Sequence, residues 1–182
     1  DHSRSDHLHL IIIAHQDCNF RCSYCCQRFE PRSIEPAVLA SLKLLLESRI
    51  GELRSARVSW FGGEPLLALS SVRDYSVFAQ ALCASRGVSF TSQMTTNGYL
   101  LDSATLHQLV HWGVRQFQVT LDGPAEVHDR RRPLASGGPS FQTILENLTA
   151  ARDSHLDFKV RIRVNYDLEN YSELPTLFSL LQ

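Results

Sequence analysis

Two periods of apolar spacing take turns along this chain. Residues 8–15 (LHLIIIAH) are short, β-rich and nearly all apolar, the pattern of a strand covered on both faces. A linker at 31–36 follows. Val38, Leu39, Leu42, Leu45, Leu46 and Ile50 then recur mostly at three- and four-residue steps and stop at Gly51. That spacing predicts an amphipathic helix with Pro36 in its first turn. Residues 56–61 (ARVSWF) read as a second strand, and 70–86 as a helix ended by Gly87. A third strand spans 88–94. Ser103 is read as the cap of a helix that runs through His111. A fourth strand covers 116–122 (QFQVTLD), and Gly123-Pro124 turns the chain into a loop, AEVHDRRRP. A helix at 141–154, a fifth strand at 158–165 and a last helix starting between 169 and 173 and breaking off at Gln182 complete the pattern.

The later strands alternate cleanly, and one face is polar each time. Phe117, Val119 and Leu121 turn toward helices, while Gln116, Gln118, Thr120 and Asp122 turn away. Ser89, Thr91, Gln93, Thr95 and Asn97 form the polar face of the third strand. In the fifth, Arg161, Arg163 and Asn165 are expected to face a lumen, where two buried cations need anions such as Asp122 or a substrate carboxylate. Five strand–helix repeats predict an α/β fold with a mostly parallel sheet and right-handed crossovers. Chemistry on such sheets gathers past the carboxyl ends of the strands.

Composition narrows the setting. The 182 residues are one domain's worth of chain, with 43% hydrophobic content. A net charge of −1 gives no electrostatic case for nucleic acid or an anionic membrane. No apolar run approaches the roughly 20 residues of a membrane span. The opening DHSRSDHLHL lacks a signal-peptide shape and reads as a fragment boundary. Five cysteines without such a signal point to a reducing, cytoplasmic setting.

Four of those cysteines crowd into HQDCNFRCSYCC, directly after the first strand. Cys18, Cys22 and Cys25 are spaced C-x3-C-x2-C, so three thiols share one loop. Neither a zinc ribbon nor a ferredoxin run has this spacing. A [4Fe–4S] cluster on three cysteines keeps one iron open for chemistry. A disulfide, or a zinc site completed by Cys26, stands as the alternative. Cys26 itself reads as a small packing residue, and the lone helical Cys83 as core. Phe20 and Tyr24 are placed to shield the loop's contents, while His15 and Asp17 either tune them or sit in solvated loop.

Other motifs end other strands. Gly62, Gly63, Glu64 and Pro65 follow the second, as glycines that permit close backbone approach beside a carboxylate, or as an ordinary turn. Asn97-Gly98 after the third is a positive-φ turn. Arg130, Arg131 and Arg132 read by themselves as a solvated basic turn.

Taken together these segments resemble the radical S-adenosylmethionine (SAM) superfamily. The C-x3-C-x-aromatic-C loop, with Tyr24 as the aromatic, resembles that family's cluster loop. The TNG at 96–98 resembles a segment of that family, and WFGGEPLL and the run at 119–133 (VTLDGPAEVHDRRRP) resemble its peptide-maturase branch. The resemblance implies a partial (β/α)6 barrel over 1–182, truncated after about five β/α units. It implies that a sixth strand and a C-terminal SPASM or twitch auxiliary-cluster domain are missing from this chain. It implies a [4Fe–4S] cluster on Cys18, Cys22 and Cys25. SAM would be held by Tyr24, Gly62, Gly63, Glu64, Asn97, Thr120 and Arg132, and its carboxylate is a further candidate partner for Arg161 and Arg163. Within the basic run only Arg132 is assigned to SAM, and His128 and Asp129 are expected to shape the loop. The activity implied is cleavage of SAM to a 5′-deoxyadenosyl radical that takes hydrogen from a peptide or protein. An electron donor such as flavodoxin or ferredoxin would serve it. An anaerobic sulfatase-maturing enzyme is the runner-up, and a non-catalytic metal-binding module is the rival of another class.

Overall fold

A computed structural model describes residues 6–181. Residues 1–5, which open the chain, and Gln182, where the last predicted helix breaks off, lie outside the described residues. Five parallel strands lie in chain order: β1 (His7–His15), β2 (Ser55–Gly62), β3 (Ser89–Thr96), β4 (Val114–Thr120) and β5 (Lys159–Arg163). Helices α1 (Pro36–Arg49), α2 (Leu69–Ser85), α3 (Ser103–His111), α4 (Ala125–Arg131), α5 (Phe141–Arg152) and α6 (Leu174–Leu180) connect or follow them. The α/β reading therefore holds, as five units of a parallel sheet.

Register shows why the sheet has one core. Ile12, Trp60, Met94, Phe117 and Val160 are successive cross-strand partners. That row faces the helices, and its first four members are buried beside Tyr75, Leu106, Leu109 and Ile144. Burying side chains of this size stabilises by about 1.5–3 kcal/mol each. The neighbouring row, Ile11, Ser59, Gln93, Gln116 and Lys159, faces the other way. Ile11, Gln116 and Lys159 of that row are exposed, Gln93 is half-buried and Ser59 is buried.

Several expectations need correction. β1 is not covered on both faces: Ile12 is 3% exposed, but Ile11 is 66% and Ile13 50% exposed. A continuous apolar run cannot show that its second face is open. Arg161 and Arg163 are exposed rather than buried, because the open face admits solvent. The α3 cap is Asp102, whose Oδ1 accepts from the Thr105 N–H at 2.8 Å, one residue ahead of Ser103. The stretch after Gly123-Pro124 is helix α4, not loop, with Arg130 and Arg131 in its last turn where the helix dipole favours them. α6 begins at Leu174, after a single tight turn at Tyr171–Glu173. Cys83 is buried core, as read.

Candidate functional site

The cysteine loop leaves β1 and is stitched to three neighbours. The Ile34 N–H donates to the Ala14 carbonyl and the Gln16 N–H to the Arg32 carbonyl, both at 2.9 Å. The Arg21 and Ser23 N–H groups donate to the carbonyls of Pro133 and Arg131, both at 2.9 Å. At the end of β2, the Gly63 N–H donates to the His15 carbonyl (2.9 Å) and the Glu64 N–H to the Asp17 carbonyl (3.0 Å). A Cβ on Gly63 would lie 2.2 Å from the Asp17 carbonyl oxygen, and one on Gly62 2.4 Å from that of His15. The two glycines thus let the cysteine loop press onto β2. His15 and Asp17 build the loop: the Asp17 N–H donates to His15 Nδ1 (3.0 Å), and the Cys18 N–H to Asp17 Oδ1 (2.8 Å).

A cavity of about 280 Å³ opens at the carboxyl ends of the strands. It is lined by Cys18, Cys22, Cys25, Tyr24, Gly62, Gly63, Asn97, Thr120 and Arg132, so one space gathers nearly every residue singled out in the sequence. All five cysteines are free thiols, which removes the disulfide alternative. Burial pushes the Cys18 thiol up to about 11 and raises that of Cys22, whose rise the Arg132 charge opposes. Among the described residues, no three His, Cys, Asp or Glu side chains converge on a single-ion site. The three loop thiols line the cavity's wall instead, and such a set of soft sulfur donors around one space suits an iron–sulfur cluster. Cys26 is exposed and lines the same cavity, so it is not the packing residue expected. Phe20 is buried, edge-on to Tyr99 at 6.0 Å.

Arg132 is the buried cation of this cavity. Its Nη1 donates to the Tyr24 hydroxyl and lies 3.8 Å from Asp122 Oδ2. Burial alone would lower its pKa, but Cys22, Tyr24 and Asp122 outweigh that and hold it above the ordinary value. Its Nε is buried and has no partner among the described residues, a donor left over for a ligand's anionic group. The Tyr24 hydroxyl donates to Asp122 Oδ2 and accepts from Asn165 Nδ2 at 3.0 Å. Burial, aided by Asp122, pushes that phenol up to about 12. Asp122 Oδ1 also accepts from the Asn165 N–H at 2.8 Å. Asp122 thus is a counterion, as the sequence allowed, but for Arg132 rather than Arg161 or Arg163.

Glu64 is placed differently from its cavity neighbours. It is fully buried, and its carboxylate accepts from the Leu66 N–H (3.0 Å), the Thr96 hydroxyl (2.8 Å) and the Asn97 N–H (2.9 Å). Burial raises its pKa against those three bonds. It ties the ends of β2 and β3 together behind the cavity wall. Asn97 is the turn asparagine read for it, since its Oδ1 accepts from the Tyr99 N–H (3.0 Å); it also lines the cavity, with its Nδ2 3.7 Å from Cys18 Sγ. Arg131 is not solvated. It is buried and forks onto Asp167 at 3.0 and 2.8 Å. Its partner lies 36 residues away, so no local pattern revealed the pair. Asp129 lies on α4 rather than in the expected loop, and its Oδ1 accepts from the Ser140 (2.7 Å) and Phe141 (2.8 Å) N–H groups at the start of α5.

The model of the radical SAM superfamily matches residues 12–181. The serine-type anaerobic sulfatase-maturating enzyme of Klebsiella aerogenes is 25% identical over 155 residues, 83% of this chain and 38% of that enzyme. The GTP 3′,8-cyclase of Campylobacter jejuni subsp. doylei is 27% identical over 180 residues, 96% of this chain and 51% of the cyclase. The chain therefore spans about half or less of the length of these relatives. Among solved structures, anSMEcpe with bound AdoMet and Kp18Cys peptide superposes with a TM-score of 0.70 at 22% identity, over 85% of this chain and 42% of that one. SuiB of Streptococcus suis bound to precursor peptide SuiA gives 0.67 at 17% identity, over 95% and 36%. These two likenesses show the shared fold.

Proposed function

The chain belongs to the radical SAM superfamily, and from that membership we propose that it is the core of an enzyme that removes a hydrogen atom from a peptide or protein substrate. The observation that carries this reading is the single cavity in which three loop thiols, two glycines, Thr120 and a buried arginine meet. In this proposal Cys18, Cys22 and Cys25 hold a [4Fe–4S] cluster. Tyr24, Gly62, Gly63, Asn97, Thr120 and Arg132 hold SAM, and Glu64 fixes the wall they stand on. When bound, cluster and SAM together supply a 5′-deoxyadenosyl radical, the hydrogen-abstracting species.

The protein's own residues supply placement. Arg132, anchored by Tyr24 and Asp122, turns a preorganised guanidinium toward a carboxylate. Phe20, buried beneath the loop, keeps water from that side. Residues 1–182 form the core domain in this reading, and a flavodoxin or ferredoxin serves as electron donor. No helix among the described residues is long and apolar enough to cross a membrane. A cytoplasmic location belongs to the same proposal, as does the lack of a nucleic-acid partner.

Sulfatase maturation is the second reading, favoured by the similarity to serine-type and cysteine-type anaerobic sulfatase-maturating enzymes. The deciding experiment is anaerobic reconstitution with iron and sulfide, then dithionite, SAM and an assay for 5′-deoxyadenosine. Product that depends on all three loop cysteines supports the reading. Tight zinc binding with no iron absorbance overturns it in favour of a metal-binding module.

A further inference from the structure

The open face of the sheet carries an unpaired charge. Lys159, Arg161 and Arg163 take alternate positions on β5, so their side chains project from one face. All three are exposed. Among the described residues none of the three side chains has a hydrogen bond or ion pair, while arginines elsewhere do: Arg115 meets Asp157 at 2.7 Å and Arg131 meets Asp167 at 2.8 Å. Their cross-strand neighbours are Gln116, Gln118 and Thr120, which bring no negative charge. The open-face positions of β1 to β4 hold no aspartate or glutamate either. Asp122, at the top of the face, is already engaged by Tyr24, Arg132 and Asn165. A chain of net charge −1 thus concentrates positive charge on the surface beside its cavity.

The row has direction and pitch. Arg163 lines the cysteine cavity. Lys159 and Arg161 line an adjoining cavity of about 300 Å³ with Gln93, Gln116 and Gln118. Alternate residues of a strand stand about 6.5 Å apart, which is also the spacing of same-side side chains on any extended peptide. Three cations at that pitch match acidic side chains at every second position of an extended chain. The glutamines alongside offer both donors and acceptors to its backbone.

We infer that the open face of β5 binds an acidic stretch of the substrate, laid along the strand and leading into the cysteine cavity at Arg163. This rests on the reading that the substrate is a peptide. It adds the substrate's charge and the residues that select for it.

The test is fluorescence anisotropy on the reconstituted protein with a labelled peptide of alternating Glu and Ser. Gln–Ser and Lys–Ser peptides serve as controls, and GTP as competitor. The Glu peptide is expected to bind, more weakly as salt rises, and the control peptides are not. Replacing Lys159→Gln and Arg161→Gln together should weaken binding about 2- to 5-fold per charge, as for exposed ion pairs. Reversal by Lys159→Glu with Arg161→Glu should weaken it more than about tenfold. Circular dichroism checks that both variants fold. Deoxyadenosine formation with dithionite should survive in both, since neither residue lines the cysteine cavity. Equal binding of all three peptides, unchanged binding in both variants, or binding of GTP in place of the Glu peptide overturns the inference. Binding of the Glu peptide by a wild-type protein that forms no deoxyadenosine supports the inference while sinking the radical reading.

Discussion

Two adjacent rows of the same sheet obey different rules. The row Ile12, Trp60, Met94, Phe117 and Val160 lies under helices and is wholly apolar. One residue over, Ile11, Ser59, Gln93, Gln116 and Lys159 grade from apolar to amide to cation. Backbone geometry is common to both rows, so the contrast comes from cover alone. A covered position must exclude water, and only a few residue types do that at low cost. An open position is free of that demand. What stands there and at the strand ends is set by what the surface must touch, and the candidate site and the cationic row both lie on that side.

The contrast predicts effects of different kinds and sizes. The largest belongs to the strand-end site. Cys22→Ala should lose both iron–sulfur absorbance and SAM cleavage while the far-ultraviolet circular dichroism stays that of the wild type. Deoxyadenosine formation by that variant would sink the cluster assignment. Next come the rows themselves. Trp60 is fully buried, its Nε1 donates to Ser76 Oγ at 3.1 Å, and its ring stands edge-on to Tyr75. Trp60→Ala should cost about 3–5 kcal/mol in urea unfolding. Its open-row neighbour Gln93→Ala, which loses only the 2.7 Å donation to Ser59 Oγ, should cost about 1 kcal/mol. Similar losses at both positions would show that the second face is covered after all. A smaller effect is expected at the buried cation. Arg132→Ala removes a charge-assisted donor worth about 1.5–3 kcal/mol, so SAM affinity should fall roughly 10- to 100-fold by equilibrium dialysis, with cluster absorbance retained.

How far the molecule could be read in advance follows the same divide. The covered face was legible because burial imposes a period. Phe117 and Val119 were assigned to the helix side, and both are buried. The strand-end motifs were legible because cysteine and glycine pairs are rare enough to mark chemistry. Long-range pairing was not legible. Arg131 and Arg132 are identical neighbours, yet one forks onto Asp167 across 36 residues and the other reaches Tyr24 across 108. No local property separates them. The solvation of Arg161 and Arg163 and of the second face of β1 was hidden for a related reason. Alternation shows which residues share a face but not whether another element lies over it. The helix cap was missed by one residue because Asp102 and Ser103 are both good caps, and only the Thr105 N–H chooses between them.

The last test sits at the seam between covered core and site. His128 is buried on α4, edge-on to Phe141 at 5.6 Å, and its Nδ1 accepts from the Asp122 N–H at 3.3 Å. It belongs to the core by packing and to the site through the backbone of Asp122. Burial first, then the Arg132 charge, push its pKa down to about 3, with Asp129 opposing. An unfolded histidine titrates near 6.5. The unfolded chain therefore takes up the proton first as pH falls. This contribution to stability is complete above about pH 6.5 and declines toward pH 3, by about 1 kcal/mol per pH unit within that window. His128→Asn keeps an acceptor for the Asp122 N–H and removes the titration. Urea unfolding of both proteins at pH 7, 6 and 5 should show a gap that closes or reverses as pH drops, because only the wild type pays to keep the ring neutral. A constant gap across that range would mean that the imidazole is protonated in the fold, and that water reaches the seam between the two regions.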